Sequence, residues 1–265
     1  MELGINNHLR KIASELFIKF GSSERKMIDN SVQSIVSNLE SYFEDEIEDV
    51  IVFGSYTRDT ILPRDYDSNS DIDILVQFSS EYDRLKPESY RNQLKKFAEK
   101  FYKTGSVIKD HPSIVIELNH INFDLVPAIF DEGIFYDSIE IPGKESDWIE
   151  TDPAKFNEEL TNANTKYASI VKPIVRLLKY WNASQGYPYS SYELETMIAD
   201  MNFSNDNYQS GFLYAIKELS TWDLSNYASK KVDTLKSNAK WIKEYLDRED
   251  LDKAKEVVSR ILPGF

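Results

Sequence analysis

Apolar positions along the first forty residues recur three and four apart. Ile12, Leu16, Ile18 and Phe20, then Met27, Ile28, Val32, Ile35, Val36, Leu39 and Phe43 mark a helical period that breaks at Gly21-Ser22-Ser23. This predicts two helices, or one interrupted long helix, over residues 5–43. The period then shortens. Residues 49–53 (DVIVF) and 72–78 (IDILVQF) read as strands, separated by a turn-rich segment containing Gly54 and Pro63. A short helix is expected from 56 to 61 and a longer one from 87 to 102. Short strands follow at 106–108, 113–118 and 121–126, the last two joined through Asn119-His120 as a hairpin. After a loop through Gly143, the chain from Pro153 onward reads as almost entirely helical. The order predicts an α/β (α+β) fold. A mixed-sheet domain over 1–150 is followed by a helical domain over 151–265, with no internal repeat and no flexible linker between them.

Composition narrows the class. With 265 residues, 41% hydrophobic and 13% aromatic, the chain can bury a substantial core. The N-terminus is amphipathic and lacks a charged-then-apolar leader, and no apolar run is long enough to span a bilayer, so a cytoplasmic protein with no membrane partner is expected. Zero cysteines exclude disulfides, thiolate metal sites and a cysteine nucleophile. His8, His111 and His120 lack zinc-ligand spacing, so any metal would be held by oxygen. The formal net charge of −14 repels polyanions at long range, which argues against a stable nucleic-acid partner. A nucleotide substrate is still compatible, because Mg²⁺ and a few placed cations can neutralise phosphates locally.

Two carboxylates at the start of a buried strand then demand an explanation, since charge is costly to bury unless something pairs with it. Residues two apart on a strand share a face. Asp71 and Asp73 therefore point one way, while Ile72, Ile74 and Val76 point into the core. Asp124 in "INFDLVP" likewise faces away from Phe123 and Leu125. If the two strands are neighbours, three carboxylates converge, which is untenable without cations. A pair of divalent ions about 3.5–4 Å apart resolves the repulsion and serves in-line phosphoryl or nucleotidyl displacement. The expected cofactor is Mg²⁺, two ions, with Mn²⁺ as a substitute. At the preceding strand end, Gly54-Ser55 presents backbone N–H groups and a hydroxyl where an anion is favoured, and Gly54 has no side chain to hold a ligand away.

Each piece alone is commonly just a turn. Their order is more specific. Gly-Ser closing one strand, Asp-x-Asp opening the next and an Asp on a later strand resemble the polymerase-β-like nucleotidyltransferase superfamily, over residues 50–127. The long spacer from Gly54 to Asp71, with Asp59, Asp65 and Asp67, departs from the pattern; Asp65 and Asp67 read as loop because the apolar strand begins after Asp71.

In the second half, "KPIVRLLKYWN" (172–182) reads as a helix with Lys172, Arg176 and Lys179 in one basic stripe and Ile170, Ile174, Leu177 and Trp181 in an apolar one. On charge periodicity alone the basic stripe is first a solvated face. "PYSSYELETMI" (188–198) follows, with Ser190 or Ser191 as N-cap and Glu193 or Glu195 in the first turn. These segments resemble the corresponding helices of the cyclic GMP-AMP synthase and oligoadenylate synthase branch, including the bacterial CD-NTase or SMODS-type enzymes, over about residues 5 to 225.

That resemblance implies a nucleotidyltransferase sheet braced by a long N-terminal helix, with a helical lobe closing the cleft. It implies catalytic, metal-holding Asp71, Asp73 and Asp124, phosphate contacts from Gly54, Ser55, Lys179 and Ser191 with Arg176 nearby, and base stacking by Tyr192, which on pattern alone could equally be core. The implied activity is synthesis of a cyclic or short linear oligonucleotide messenger from NTPs such as ATP, in bacterial anti-phage (CBASS) signalling, with an activator or effector protein as partner. NMP transfer to tRNA, a protein or a small molecule is the competing enzymatic reading. A degenerate nucleotide-binding sensor is the non-enzymatic one, and the presence of all three carboxylates weighs against it.

Overall fold

A computed structural model describes residues 4–79, 84–103, 107–109, 112–131, 138–143 and 147–264. The helical N-terminus is two helices, α1 (Ile5–Glu15) and α2 (Ser23–Phe43). The break has a local cause: Gly21 sits at φ 77°, and the Ser22 side chain caps α2 by accepting from the Arg25 N–H at 3.1 Å.

Among the described residues seven strands form one mixed sheet: β1 (Ile47–Phe53), β2 (Asp71–Phe78), β3 (Val107–Lys109), β4 (Ile114–Glu117), β5 (Asn122–Asp131), β6 (Ser138–Pro142) and β7 (Trp148–Thr151). The main order is β1-β2-β5-β4-β3, and β6 pairs with both β5 and β7. β2 and β5 run parallel at the centre, while β1 is antiparallel to β2 and β4 to β5. Pro127, which has no N–H to give a ladder, falls in the gap where β5 changes partner from β4 to β6. β6 and β7 lie in the stretch expected to be a loop. They are five and four residues long and mostly half-exposed, so their sequences show no alternation. The expected strand at 106–108 is observed as β3, and Ser106 lies outside the described residues.

By packing, the chain divides into two compact units. One comprises Ile18–Arg64 and Asn69–Asn157; the other comprises Met1–Phe17, Asp65–Ser68 and Glu158–Phe265. The N-terminal helices therefore part company. α2, with Ile28, Ile35, Leu39 and Phe43, and α4 (Pro87–Phe101), with Leu94 and Phe97, cover the face of the sheet that carries Ile72, Ile74, Phe123 and Leu125. α1 packs instead on α6 (Val171–Ser184) and α8 (Tyr208–Glu218) in the helical unit. The sheet is thus braced by α2, the longer of the two N-terminal helices. The last two helices, α9 (Asn226–Asp247) and α10 (Leu251–Ser259), pack on one another, with α9 on α8 and α10 on α1. Among the described residues no helix is long and apolar enough to cross a membrane.

Candidate functional site

The parallel β2–β5 register sets Asp73 beside Asp124 and Asp71 beside Asn122. Strands lie about 4.8 Å apart, so the two paired carboxylates share one face, with Asp71 two residues back on the same side. Their neighbours Ile72 and Phe123 are fully buried on the opposite face, whereas all three aspartates are only half-buried. The apolar residues anchor the strands and the alternation exposes the acids together. Asp124 is oriented by Ser113, whose hydroxyl donates to Oδ2 at 3.0 Å. Ser113 is itself buried just before β4, and nothing in its sequence context marks it.

Antiparallel pairing with β1 places Phe53 opposite Asp73, so the next residue, Gly54, lies against that carboxylate. Gly54 adopts φ 77°, and a Cβ built there would stand 1.8 Å from Asp73 Oδ2. Backbone conformation and space both require glycine. The expected helix at 56–61 is shorter: α3 is Gly54–Thr57, one turn, after which Asp59 takes φ 59° and Ser55 O accepts from the Thr60 and Ile61 N–H groups, both at 3.0 Å.

Side chains on both sides hold this turn. Tyr56 OH donates to Asp29 of α2, and Arg25 lies 4.0 Å over the Tyr56 ring. Burial, and then that hydrogen bond, push the tyrosine pKa far above its ordinary value, so it remains a neutral donor. Asn157 of α5 (Pro153–Lys166) donates to Thr57 Oγ1 at 3.1 Å, and buried Arg58 lies 4.9 Å over Phe156. No motif in the sequence identifies Arg58 or Asn157 as supports.

Does the donor set suit the expected metal? All three side chains are hard oxygen donors, the ligand class of Mg²⁺, and Gly54 puts no side chain against the Asp73 carboxylate. Among the described residues no three carboxylate or imidazole groups surround one point. The donor chemistry of Asp71, Asp73 and Asp124 suits the ion.

The helical unit carries the remaining candidates. Lys179 is 5% exposed, and its Nζ meets Glu195 Oε1 at 2.9 Å, with Glu195 fully buried on α7 (Ser191–Ala199). The pattern had offered Glu195 only as a first-turn acid, a role that Glu193 fills: Ser190 is the N-cap, Glu193 completes the capping box, and Ser191 is the first helical residue. The loop before α7 is clamped by Asn182, whose amide donates to Tyr189 O at 2.9 Å and accepts from Tyr189 N at 3.0 Å. Tyr192 is 58% exposed, which excludes a core role, and lines a cleft of about 380 Å³ with Tyr189, Met197 and Trp222.

Arg176 corrects the expectation of a phosphate-facing stripe. It is 7% exposed, its Nε donates to Ala13 O at 3.3 Å, and its guanidinium lies 4.7 Å over Phe17. It ties α6 to α1. Asp67 lies in loop as expected and accepts from Tyr187 OH.

Known proteins supply context for this geometry. The model of the Second Messenger Oligonucleotide or Dinucleotide Synthetase domain matches residues 3–164. A Bacillus cereus protein named "Probable cyclic nucleotide synthase" is 33% identical over 42% of this chain and 34% of its own length. An Escherichia coli protein named "CBASS oligonucleotide cyclase CdnC" is 22% identical over 73% of this chain and 64% of its own. Among solved structures, the Bradyrhizobium diazoefficiens CD-NTase CdnG in complex with GTP aligns over 97% of both chains with a TM-score of 0.71 and 13% identity, a likeness of fold. The alignments therefore span between about one third and two thirds of these curated relatives' own lengths.

Proposed function

The chain belongs to the Second Messenger Oligonucleotide or Dinucleotide Synthetase family, and on that premise we propose that it joins nucleoside triphosphates, ATP among them, into a cyclic or short linear oligonucleotide messenger for bacterial anti-phage signalling. The observation that carries this reading is the register of Asp73 beside Asp124, with Asp71 on the same face and Gly54 making room for the Asp73 carboxylate.

Asp71 and Asp73 would hold two Mg²⁺ ions, with Asp124 completing the one nearer the attacking hydroxyl. Bound there, the ions supply charge neutralisation and an acidified hydroxyl. The chain's own residues position the reactants. Ser113 holds Asp124 in its orientation. Ser55 and the backbone N–H groups that follow Gly54 bind phosphate oxygens. Lys179, 5% exposed and paired with Glu195 at 2.9 Å, would serve as a compact countercharge only by turning its ammonium from that carboxylate to the phosphates. Ser191 adds a hydroxyl, and the exposed Tyr192 side chain takes a base. A ribose hydroxyl of one nucleotide attacks the α-phosphorus of another; the new P–O bond forms as the bond to pyrophosphate breaks. Catalysis is positioning plus charge neutralisation, and it needs no histidine base.

The test is incubation of the purified chain with all four α-labelled NTPs and Mg²⁺ or Mn²⁺, with products resolved by mass. A phosphatase-resistant cyclic product or short linear oligomer is expected. No product from NTPs, with efficient labelling of added tRNA or protein, would overturn the messenger reading.

A further inference from the structure

A groove of about 560 Å³ runs between α8 and α9. Leu213 and Lys217 of α8 line it, together with Asp233, Lys236, Ser237, Ala239, Lys240 and Lys243 of α9. Four lysines against one aspartate is a local excess of positive charge on a chain whose net charge is −14. Lys236, Lys240 and Lys243 form no ion pair with any described residue, and Lys217 holds only Glu218, at 2.9 Å on the open surface. Spacings of four and three place the three α9 lysines on one helix face, rising about 6 and 4.5 Å along the axis. Like charges at these spacings weaken the helix that carries them. Solubility does not require them, because the chain is already far from neutral.

We infer that this groove docks an acidic amphipathic helix of a partner protein. A helix with carboxylates at i, i+4 and i+7 presents the same ladder as Lys236, Lys240 and Lys243, and the apolar floor at Leu213 and Ala239 suits the small apolar stripe of such a helix. A nucleic-acid backbone matches less well. It has no counterpart for the apolar floor, and its charge would extend past the groove on a chain whose net charge is −14. The inference is independent of nucleotidyl transfer, since the groove uses no residue assigned to that reaction.

The probe is a synthetic helical peptide of about five turns, with Glu at i, i+4 and i+7 beside a Leu/Ala stripe. It is measured by fluorescence anisotropy against the full chain, beside a scrambled peptide of equal composition and a duplex DNA of similar length. Saturable binding of the patterned peptide at least tenfold tighter than that of the scrambled one or the DNA is expected. Lys236→Glu with Lys240→Glu and Lys243→Glu should lose at least tenfold. The corresponding triple alanine variant, which adds no new charge, should lose affinity to a smaller extent. No saturable binding of the patterned peptide, equal binding of the scrambled one, tighter binding of DNA, or unchanged affinity in the triple variants would each overturn the inference.

Discussion

Gly54→Ala tests the site at its narrowest point. Alanine would have to adopt φ 77°, with its Cβ 1.8 Å from Asp73 Oδ2, 2.7 Å from Cγ and 3.0 Å from Cβ. The left-handed backbone costs an L-residue about 1–2 kcal/mol. A separation of 1.8 Å cannot be tolerated, so the Asp73 carboxylate must swing away, and an off-rotamer position adds about 0.5–1.5 kcal/mol. The total destabilisation is roughly 1.5–3.5 kcal/mol. The loss of activity should be larger than this implies, because displacing a positioned group by about 1 Å can cost on the order of 10²-fold in rate. Urea unfolding gives the first quantity and NTP turnover under native conditions the second. Asp73→Ala in the Gly54→Ala background separates the two causes. Removing Cγ and Oδ2 should recover the clash component and leave the backbone strain, so the two substitutions should be non-additive in stability. Additive effects, or a folded Gly54→Ala protein with wild-type turnover, would refute the close approach of Gly54 and Asp73 as a functional constraint.

Three further outcomes are expected. Asp71→Asn with Asp73→Asn should abolish product formation while raising the melting temperature in metal-free buffer, because adjacent carboxylates repel; normal turnover by the folded double variant would remove the metal-site argument. Glu195→Ala leaves the Lys179 ammonium buried without its partner and should cost about 3–5 kcal/mol in denaturant unfolding, whereas Lys179→Met with Glu195→Leu should cost less; equal costs would mean that the pair is not mutually dependent. His8 of α1 has its pKa held below 6.5 by burial first, and then by the charges of Lys255 and Lys11. The unfolded chain therefore takes up the proton more readily, so stability falls as pH drops below about 6.5 toward the folded-state value. His8→Gln should flatten that decline in urea midpoints, and identical acid slopes would dismiss the histidine as its source.

Much of this molecule follows from local pattern. The period change from helix to strand placed β1, β2, α4 and the β4–β5 hairpin, and the alternation in Asp-Ile-Asp-Ile by itself decided that Asp71 and Asp73 share a face opposite the core. Gly21 and Ser22 announced the break between α1 and α2, and the Ser190-Ser191 pair followed by Glu193 and Glu195 announced the start of α7 without deciding which serine caps it. Such features are legible because they depend on neighbours within one helical turn or one strand period. The tertiary structure decided the rest. Parallel pairing across an intervening helix brought Asp124 level with Asp73, and contact with β2 turned Gly54 from a permissive turn residue into one with no room for a side chain. Packing put α1 on α6 and α8, turned Arg176 inward onto Ala13 and Phe17, and gave Lys179 a buried carboxylate partner. The short β6 and β7, half-exposed along most of their length, carry no alternation to read; β6 exists because β5 extends past Pro127 and offers it an edge, and β7 because β6 offers the next one. Periodicity states which face of an element is apolar or charged; what that face meets depends on contacts between residues far apart in the chain, which only the packed core selects.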